Sequence, residues 1–254
     1  MSIKKYFYYF CLYFRKIIYQ DKGLKLNRSI IIDKASKFVV NECITGDYYE
    51  FGVWKGQTFI YAFQRLLKTA KLRIMDKNNI GSNPIADAKR KLILENTLFH
   101  AFDSFEGLPE LTEEDKYSED FVKGQYKASQ YSFLDFVKKS NLPHDRIRIH
   151  KGWFENTCNF QYFKKNKLKK ASIIWLDCDL YSSANSCFKI ISYLLQDGTV
   201  LIIDDWFSNK GSPFHGVQKA FFEWSKSKDI FENWNFTEYQ KESWKRISFI
   251  VNKK

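Results

Sequence analysis

Residues 172–179 read SIIWLDCD and residues 197–205 read DGTVLIIDD, and each stretch is an apolar run that ends in acidic residues. The apolar part of each run is too short for a typical helix and is rich in isoleucine, leucine and valine. Runs of this kind are typical of strands that are buried on both faces of a parallel sheet. A helical stretch from Ser182 to Gln196 separates them. The order strand, helix, strand predicts an α/β domain.

The same alternation continues on both sides of this unit. The further predicted strands are residues 48–54, 98–103, 146–150, 234–239 and 244–251, and the further predicted helices are residues 58–68, 129–139 and 217–224. A short polar turn joins the last two strands, which should therefore form an antiparallel edge. We expect a mostly parallel sheet with helices on both faces.

Two segments fall outside this alternation. Residues 1–30 form a basic and aromatic N-terminal segment, which precedes a single domain of residues 31–254. Residues 71–96 are polar apart from one amphipathic stretch, IADAKRKLILEN, and we interpret them as an insertion within that domain. The chain of 254 residues is long enough for one large core.

The N-terminal segment contains a nine-residue aromatic block, YFYYFCLYF, at residues 6–14, with lysine and arginine on both sides. A membrane-spanning helix needs about twenty apolar residues, so this block is too short to cross a bilayer. No small-residue cleavage site follows, which disfavours a signal peptide. A basic aromatic helix can lie in a membrane interface, or it can pack on its own domain or on a partner subunit. Residues 1–20 are thus a candidate peripheral membrane contact, or part of a homodimer interface.

The composition limits the cellular setting and the partners. The formal net charge is +12, which attracts polyanions such as nucleic acid, anionic lipid or activated sugars, although a merely lysine-coated surface explains it equally well. The five cysteines contain no C-x-x-C pair, so a zinc site or a disulfide framework is disfavoured. We expect a cytoplasmic protein, which could lie peripherally on the inner face of the membrane.

Acids and glycines follow the predicted strands, where ligands bind in doubly wound sheets. The string Glu50-Phe-Gly52-Val-Trp-Lys-Gly56 is neither a G-x-G-x-x-G fingerprint nor a phosphate-binding P-loop. An acid ahead of the glycine favours a cationic or hydroxylated ligand. Asp103 ends the second strand, where an acid commonly binds a ribose diol; the alternative is a cap for the following turn.

Two pairs of carboxylates follow the two apolar runs at residues 172–176 and 199–203. Asp177 and Asp179 follow one strand, and Asp204 and Asp205 follow the other. Neighbouring carboxylates repel each other unless a cation lies between them, and oxygen ligands suit Mg²⁺, Ca²⁺ or Mn²⁺. The alternative is that these acids cap the helices that follow them.

Five strings occur in the order found in one enzyme family. They are YYEFGVWKGQT (48–58), AFDSFEGLPE (101–110), KGWFENT (151–157), IIWLDCDLYSSA (173–184) and DGTVLIIDDWF (197–207). Over residues 30–254 the chain closely resembles the macrocin O-methyltransferase family of class I S-adenosylmethionine-dependent enzymes. The resemblance implies a Rossmann-like, seven-stranded and mostly parallel sheet with an antiparallel last strand. It also implies Mg²⁺-assisted methylation of a sugar hydroxyl in a glycan, a glycolipid or an activated sugar.

The resemblance also implies roles for individual residues. The methionine end of the cofactor would be lined by Glu50, Gly52, Gly56 and Thr58. Asp103 would bind its ribose, with Ser104 and Phe105 beside it. Gly152 and Trp153 would border the adenine. The metal would be held by Asp177, Asp204 and Asp205.

The general base that the family pattern leads us to expect is missing. Antibiotic-sugar members carry a histidine at the position that corresponds to Gly124, and catechol-type enzymes carry a lysine at the position of Leu180. The nearest substitutes in this sequence are Asp179 and His215, and each has a plain structural alternative, as a helix cap and as a loop residue.

Other functions remain open on the sequence alone. The positive charge suits a nucleic-acid methyltransferase, but no Asn/Asp-Pro-Pro-aromatic string for base methylation occurs, and we expect no specific nucleic-acid partner. A small-molecule methyltransferase or a non-catalytic cofactor-binding scaffold is also compatible with the motifs. We expect the acceptor pocket to be built by the insertion, the loop after Asp205 and the N-terminal segment.

Overall fold

The computed structural model describes residue 26 and residues 28–76 and 83–254. Within these residues seven strands form one sheet in the order β3-β2-β1-β4-β5-β7-β6. The strands are β1 (Asp47–Phe51), β2 (Phe99–Asp103), β3 (Ile147–Lys151), β4 (Ala171–Leu176), β5 (Thr199–Ile203), β6 (Trp234–Glu242) and β7 (Arg246–Lys253). The segment of residues 1–20, for which a membrane or dimer contact is predicted, lies outside the described residues.

The strand directions confirm the predicted fold class. Strands β1 to β5 pair in parallel, whereas β7 is antiparallel to both of its neighbours, β5 and β6. Phe51 pairs with Phe102 and with Leu176, and Leu176 pairs with Ile203. The carboxyl ends of the four central strands are therefore level, and the residues that follow them meet at one edge of the sheet.

Helices cover both faces of the sheet. They are α1 (Ile30–Asn41), α2 (Gln57–Met75), α3 (Pro84–Asn96), α4 (Gln130–Lys139), α5 (Phe154–Thr157), α6 (Phe160–Lys165), α7 (Tyr181–Leu194), α8 (Gly216–Ser225) and α9 (Lys228–Asn233). Alternate residues of β4 divide between two cores, because successive strand side chains point to opposite faces. Ile174 and Leu176 pack with α7 and α8, whereas Ile173 and Trp175 pack with α1 and α2.

The region that the sequence marks as an insertion is helical where it is described. Helix α2 runs to Met75, beyond its predicted end at Lys68, and α3 packs against it. Ile93 and Arg90 of α3 are buried, and Arg90 Nε donates a hydrogen bond to the Val40 carbonyl at 3.2 Å. No helix among the described residues is long and apolar enough to cross a bilayer.

A chain of buried polar side chains crosses β1, β2 and β3. His100 Nδ1 lies 2.9 Å from His150 Nε2, and His100 Nε2 lies 3.3 Å from Asp47 Oδ2. His150 Nδ1 lies 3.2 Å from the Tyr162 hydroxyl. Burial lowers the pKa of His100, and burial together with the neighbouring His100 lowers the pKa of His150 to about 3. Both imidazoles are therefore held neutral at physiological pH.

Candidate active site

The turn after β1 passes so close to the turn after β4 that only glycine fits there. Gly52 has φ of +88°, and a β-carbon on it would lie 1.7 Å from the carbonyl oxygen of Asp177. Gly56 caps α2 with φ of +85°, and a β-carbon there would lie 2.8 Å from the Phe133 ring. Both glycines thus have steric reasons of their own, which are independent of any ligand.

Asp103 connects the turns after β1 and β2. Its Oδ2 accepts hydrogen bonds from the backbone N–H of Val53 at 2.9 Å and of Trp54 at 3.1 Å, and its Oδ1 accepts from Phe105 N–H at 2.7 Å. Burial raises the pKa of Asp103, and these three N–H groups oppose the rise. The carboxylate therefore fixes both turns, as the capping alternative predicts, and it also lines a cavity.

That cavity has a volume of about 1070 Å³ and lies at the carboxyl ends of the central strands. The predicted site residues that line it are Gly52, Asp103, Ser104, Trp153, Asp177, Asp179 and Asp204. The strand register explains this convergence, since each of these residues ends or closely follows a strand that terminates at the same edge. A cavity of this size with a few convergent polar groups is typical of a cofactor site.

The other predicted cofactor residues lie behind the cavity wall. Glu50 is 1% exposed and accepts a short hydrogen bond from the Tyr48 hydroxyl; burial raises the pKa of Glu50 well above its ordinary value. Thr58 and Phe105 are buried, and Gly152 donates its N–H to the Asp103 carbonyl at 3.0 Å. These residues and Gly56 belong to the turns around the cavity. Their direct contact with a cofactor stays a prediction.

Three carboxylates converge beside the cavity. Three carboxylate oxygens, one from each of Asp177, Asp179 and Asp205, lie within 4.8 Å of one another. Burial, followed by the charges of neighbouring aspartates, raises the pKa of all three side chains. Asp205 is 3% exposed, and its Oδ2 has no hydrogen-bond partner among the described residues. A buried carboxylate oxygen without a protein donor is uncommon in folded proteins, and a cation, a water molecule or a proton shared with a neighbouring carboxyl group can satisfy it.

Asp204, the third predicted metal ligand, is held by two cations. Its Oδ2 lies 2.8 Å from Lys245 Nζ, and its Oδ1 forms an ion pair with Arg246 Nε. Lys245 Nζ also lies 3.1 Å from Asp205 Oδ1. Burial would raise the pKa of Asp204, but the charges of Lys245 and Arg246 outweigh burial and lower it. Burial would lower the pKa of Lys245, but the charges of Asp205 and Asp204 outweigh burial and raise it. No motif in the sequence predicts a role for either basic residue.

The wall opposite the strand ends is formed by residues 104–127. Leu108 and Gln125 pair through their backbones, and an ion pair between Lys127 Nζ and Glu106 Oε2 at 2.8 Å joins the same two limbs. At the tip, Asp115 accepts hydrogen bonds from the N–H and the hydroxyl of Ser182 at the start of α7. None of residues 71–76, 83–96 or 206–215, the described parts of the insertion and the loop after Asp205, lines this cavity. Their contribution to an acceptor pocket stays a prediction.

The two positions at which the family pattern places a base, Leu180 and Gly124, both lie at the wall. Leu180 is buried beneath it with Leu108 and Phe121. Gly124 lines the cavity with open space beside it, since no atom lies within 4 Å of where its β-carbon would be. Of the predicted substitutes, Asp179 lines the cavity, with φ of +59°.

His215 is not among the cavity-lining residues. Its ring stacks on Tyr117 with the ring centres 3.6 Å apart, and its Nδ1 lies 3.0 Å from the Ser212 hydroxyl oxygen. The contact joins the loop after β5 to the wall. Catalytic roles for His215 and Asp179 stay predictions.

The strand order with its reversed β7, the glycine turn after β1 and the acid that ends β2 agree with a Rossmann-like methyltransferase fold, and a family match makes the protein an S-adenosylmethionine-dependent O-methyltransferase. The profile of one family, Macrocin-O-methyltransferase (TylF), matches residues 89–246, which is more than half of the chain. The chain belongs to this family.

Solved structures show the same fold at low sequence identity. The O-methyltransferase NovP has a TM-score of 0.63 and 18% identity, over 87% of this chain and 78% of that one. The calicheamicin methyltransferase CalS11 has a TM-score of 0.58 and 17% identity, over 87% and 77%. TomG from Streptomyces achromogenes, solved with S-adenosylmethionine, has a TM-score of 0.53 and 11% identity, over 89% and 82%. No curated protein sequence matches the chain.

Proposed function

We propose that this enzyme transfers the methyl group of S-adenosylmethionine to a sugar hydroxyl of a glycan, a glycolipid or an activated sugar, and that it requires Mg²⁺. The observation that carries the metal requirement is the cluster of Asp177, Asp179 and Asp205 beside the cavity, with the unpartnered Oδ2 of Asp205 buried in it.

The donor set suits a divalent cation. Together with Asp204 the site holds four carboxylates, and Lys245 and Arg246 supply two positive charges against them. With all four acids ionised, the negative charges outnumber these two positive charges, which favours a bound divalent cation. Carboxylate oxygens are the ligands that Mg²⁺ prefers, and Mn²⁺ accepts the same set.

The proposed ligand set is Asp177, Asp179 and Asp205. It shares two members with the set that the family resemblance implies, and differs in taking Asp179 instead of Asp204, whose oxygens both contact basic side chains. Calorimetric titration with Mg²⁺ separates the two sets. Asp179→Asn should weaken binding as strongly as Asp177→Asn, whereas Asp204→Asn should retain binding; the reverse result would support the family set.

The cavity suits the cofactor. Gly52 and Trp153 line it, and so does Asp103, whose carboxylate is of the kind that binds a ribose diol. When bound, S-adenosylmethionine supplies an electrophilic methyl group, and Mg²⁺ would ease loss of the proton from the acceptor hydroxyl. The task of the protein residues is to hold the acceptor oxygen in line with that methyl group and to exclude water.

Asp179 is the proposed proton acceptor, since it reaches both the carboxylate cluster and the cavity. A carboxylate has two oxygens, so one can face the cluster while the other accepts the proton of the acceptor hydroxyl. Gly124 lines the same cavity and leaves open space there, in which a sugar ring can lie.

The sugar acceptor is supported by the family name and by the cavity rim. Macrocin, by that name, is the compound that the family's namesake methylates. The rim carries the half-exposed rings of Trp54 and Tyr126, and polar side chains line the interior. Flat apolar rings beside hydrogen-bonding groups suit the two kinds of surface that a sugar presents.

The test is methyl transfer to a panel of methyl glycosides and nucleoside diphosphate sugars, followed by mass spectrometry, with Mg²⁺ in one series and EDTA in the other. We expect a methylated sugar only with Mg²⁺. Equal turnover in EDTA would refute the metal requirement. Transfer to a non-sugar acceptor alone would refute the acceptor class.

The proposal includes a cytoplasmic location with peripheral contact to the inner membrane face through residues 1–20, and a homodimer. Its support is the basic aromatic sequence of that segment. Flotation of the full chain and of a chain lacking residues 1–20 with anionic liposomes tests the contact, because equal behaviour would dismiss it. Light scattering tests the dimer, and a monomeric mass would dismiss that.

A further inference from the structure

Lys245 lies in the turn between β6 and β7, and its ammonium group reaches into the acidic cluster. Its Nζ is 2.8 Å from Asp204 Oδ2 and 3.1 Å from Asp205 Oδ1, and the lysine also lines the cavity. Its side chain is 26% exposed, whereas both aspartates are nearly inaccessible. This charge therefore acts where water screens it little.

Asp205 belongs to both arrangements at once. Its Oδ1 contacts Lys245, and its carboxylate is also one of the three that converge within 4.8 Å. A divalent cation on this carboxylate would lie a few ångströms from the ammonium group. Two cations held by one buried carboxylate repel each other, so Lys245 and a metal ion oppose each other's binding.

Asp204 does not depend on Lys245 alone. Arg246 pairs with it from the other side, and the Arg246 guanidinium lies over the Trp175 ring at 5.3 Å and 3.6 Å from Glu242. If Lys245 moves away from Asp205, Asp204 keeps a fixed partner. The ion pair between Asp204 and Arg246 can therefore remain intact when the contact between Lys245 and Asp205 is broken.

We propose that Lys245 is a built-in counter-ion of the acidic cluster, which competes with the divalent cation for Asp205 and so sets the metal affinity of the site. The inference rests on the proposed metal site and adds to it a positioning residue. Lys245 holds the carboxylates together before the metal arrives, and binding of the metal displaces its contact with Asp205.

The test is calorimetric titration of the full chain with Mg²⁺, and with Mn²⁺ as a second probe. The variants are Lys245→Met, which removes the charge, and Lys245→Arg, which keeps it. Lys219→Met is the matched control: Lys219 has similar exposure, at 23%, and pairs with Glu114 outside the cluster. It removes the same charge from the protein without touching the site.

We expect Lys245→Met to bind Mg²⁺ about tenfold more tightly than the wild type, because a repelling charge is gone. Lys219→Met and Lys245→Arg should stay within about twofold of the wild type. Thermal unfolding gives a second readout that requires no turnover: Mg²⁺ should raise the melting temperature of Lys245→Met by more than that of the wild type.

Equal or weaker binding by Lys245→Met, compared with Lys219→Met, would overturn the inference while leaving the metal site in place. Absence of Mg²⁺ and Mn²⁺ binding in every variant would overturn the metal site as well. Far-ultraviolet circular dichroism of the same samples shows whether the proteins are folded and is independent of both outcomes.

Discussion

The backbone of Gly52 runs so close to Asp177 that a β-carbon on the glycine would lie 1.7 Å from the aspartate's carbonyl oxygen. This contact joins the turn that borders the cofactor cavity to the turn that carries the first carboxylate of the cluster. The two sites are therefore built on one rigid junction, between the neighbouring strands β1 and β4.

The first prediction concerns that junction. Gly52→Ala should destabilise the protein by about 3 kcal/mol or more, since a left-handed φ costs alanine about 1–2 kcal/mol and the clash adds a comparable amount. It should also abolish binding of S-adenosylhomocysteine. Gly211→Ala is the matched control, because Gly211 also has a left-handed φ, with open space beside it. Urea denaturation should show a larger loss of stability in Gly52→Ala than in Gly211→Ala, because only the first variant adds a steric clash to the backbone strain. Equal losses of stability would contradict the close approach of Gly52 to Asp177.

Asp103 provides a second prediction. Asp103→Asn should cost about 1–3 kcal/mol, because an amide nitrogen would face a backbone donor that the carboxylate now satisfies. Calorimetry should show a large loss of cofactor affinity. Asp197→Asn is the control: Asp197 accepts hydrogen bonds from Asn252 and Lys253 far from the cavity. Unchanged cofactor affinity in Asp103→Asn would remove Asp103 from the binding site.

Stability should depend on pH through the buried His100–His150 pair. Folding lowers both pKa values, and that of His150 falls from 6.5, the ordinary value of histidine, to about 3. Between these two pH values the unfolded chain therefore binds more protons than the folded protein. Stability is therefore complete above about pH 6.5 and falls as the pH drops, by up to about 1.4 kcal/mol per pH unit for each histidine.

Denaturation at several pH values measures this slope. His150→Gln should flatten it, and substitution of the exposed His144 by glutamine should leave it unchanged. An unchanged dependence of the free energy of unfolding on pH in His150→Gln would show that other groups cause the acid sensitivity.

A further prediction separates the two candidate bases. Asp179→Asn should lower kcat by about a hundredfold or more, the usual range for loss of general-base catalysis. His215→Asn should change kcat little, because His215 stacks on Tyr117 and does not line the cavity. Rates of both variants at saturating acceptor and at a Mg²⁺ concentration that saturates each variant give the comparison, because Asp179→Asn should also weaken metal binding. A severe loss in His215→Asn alone would reverse the assignment.

The sheet could be predicted from sequence because its central strands are continuous apolar runs. Strands such as β4 and β5 are buried along their whole length, so burial determines nearly every residue in them. The acids after β4 and β5 could be placed at one edge for the same reason, since parallel strands in register end together.

The cation partners could not be predicted in this way. Lys245 is forty residues from Asp205 and meets it only because β7 pairs antiparallel with β5, which brings the turn before β7 to the carboxyl end of β5. The wall of residues 104–127 has no helical or strand periodicity to signal it. Its position depends on single contacts such as that between Asp115 and Ser182.

Anomalous diffraction from crystals of the full chain grown with S-adenosylhomocysteine and Mn²⁺ tests the metal site and the cofactor site together. We expect one strong manganese peak at coordinating distance from Asp177, Asp179 and Asp205, and the cofactor product in the cavity against Asp103. A manganese site elsewhere, no peak at the cluster, or an empty cavity would contradict this expectation.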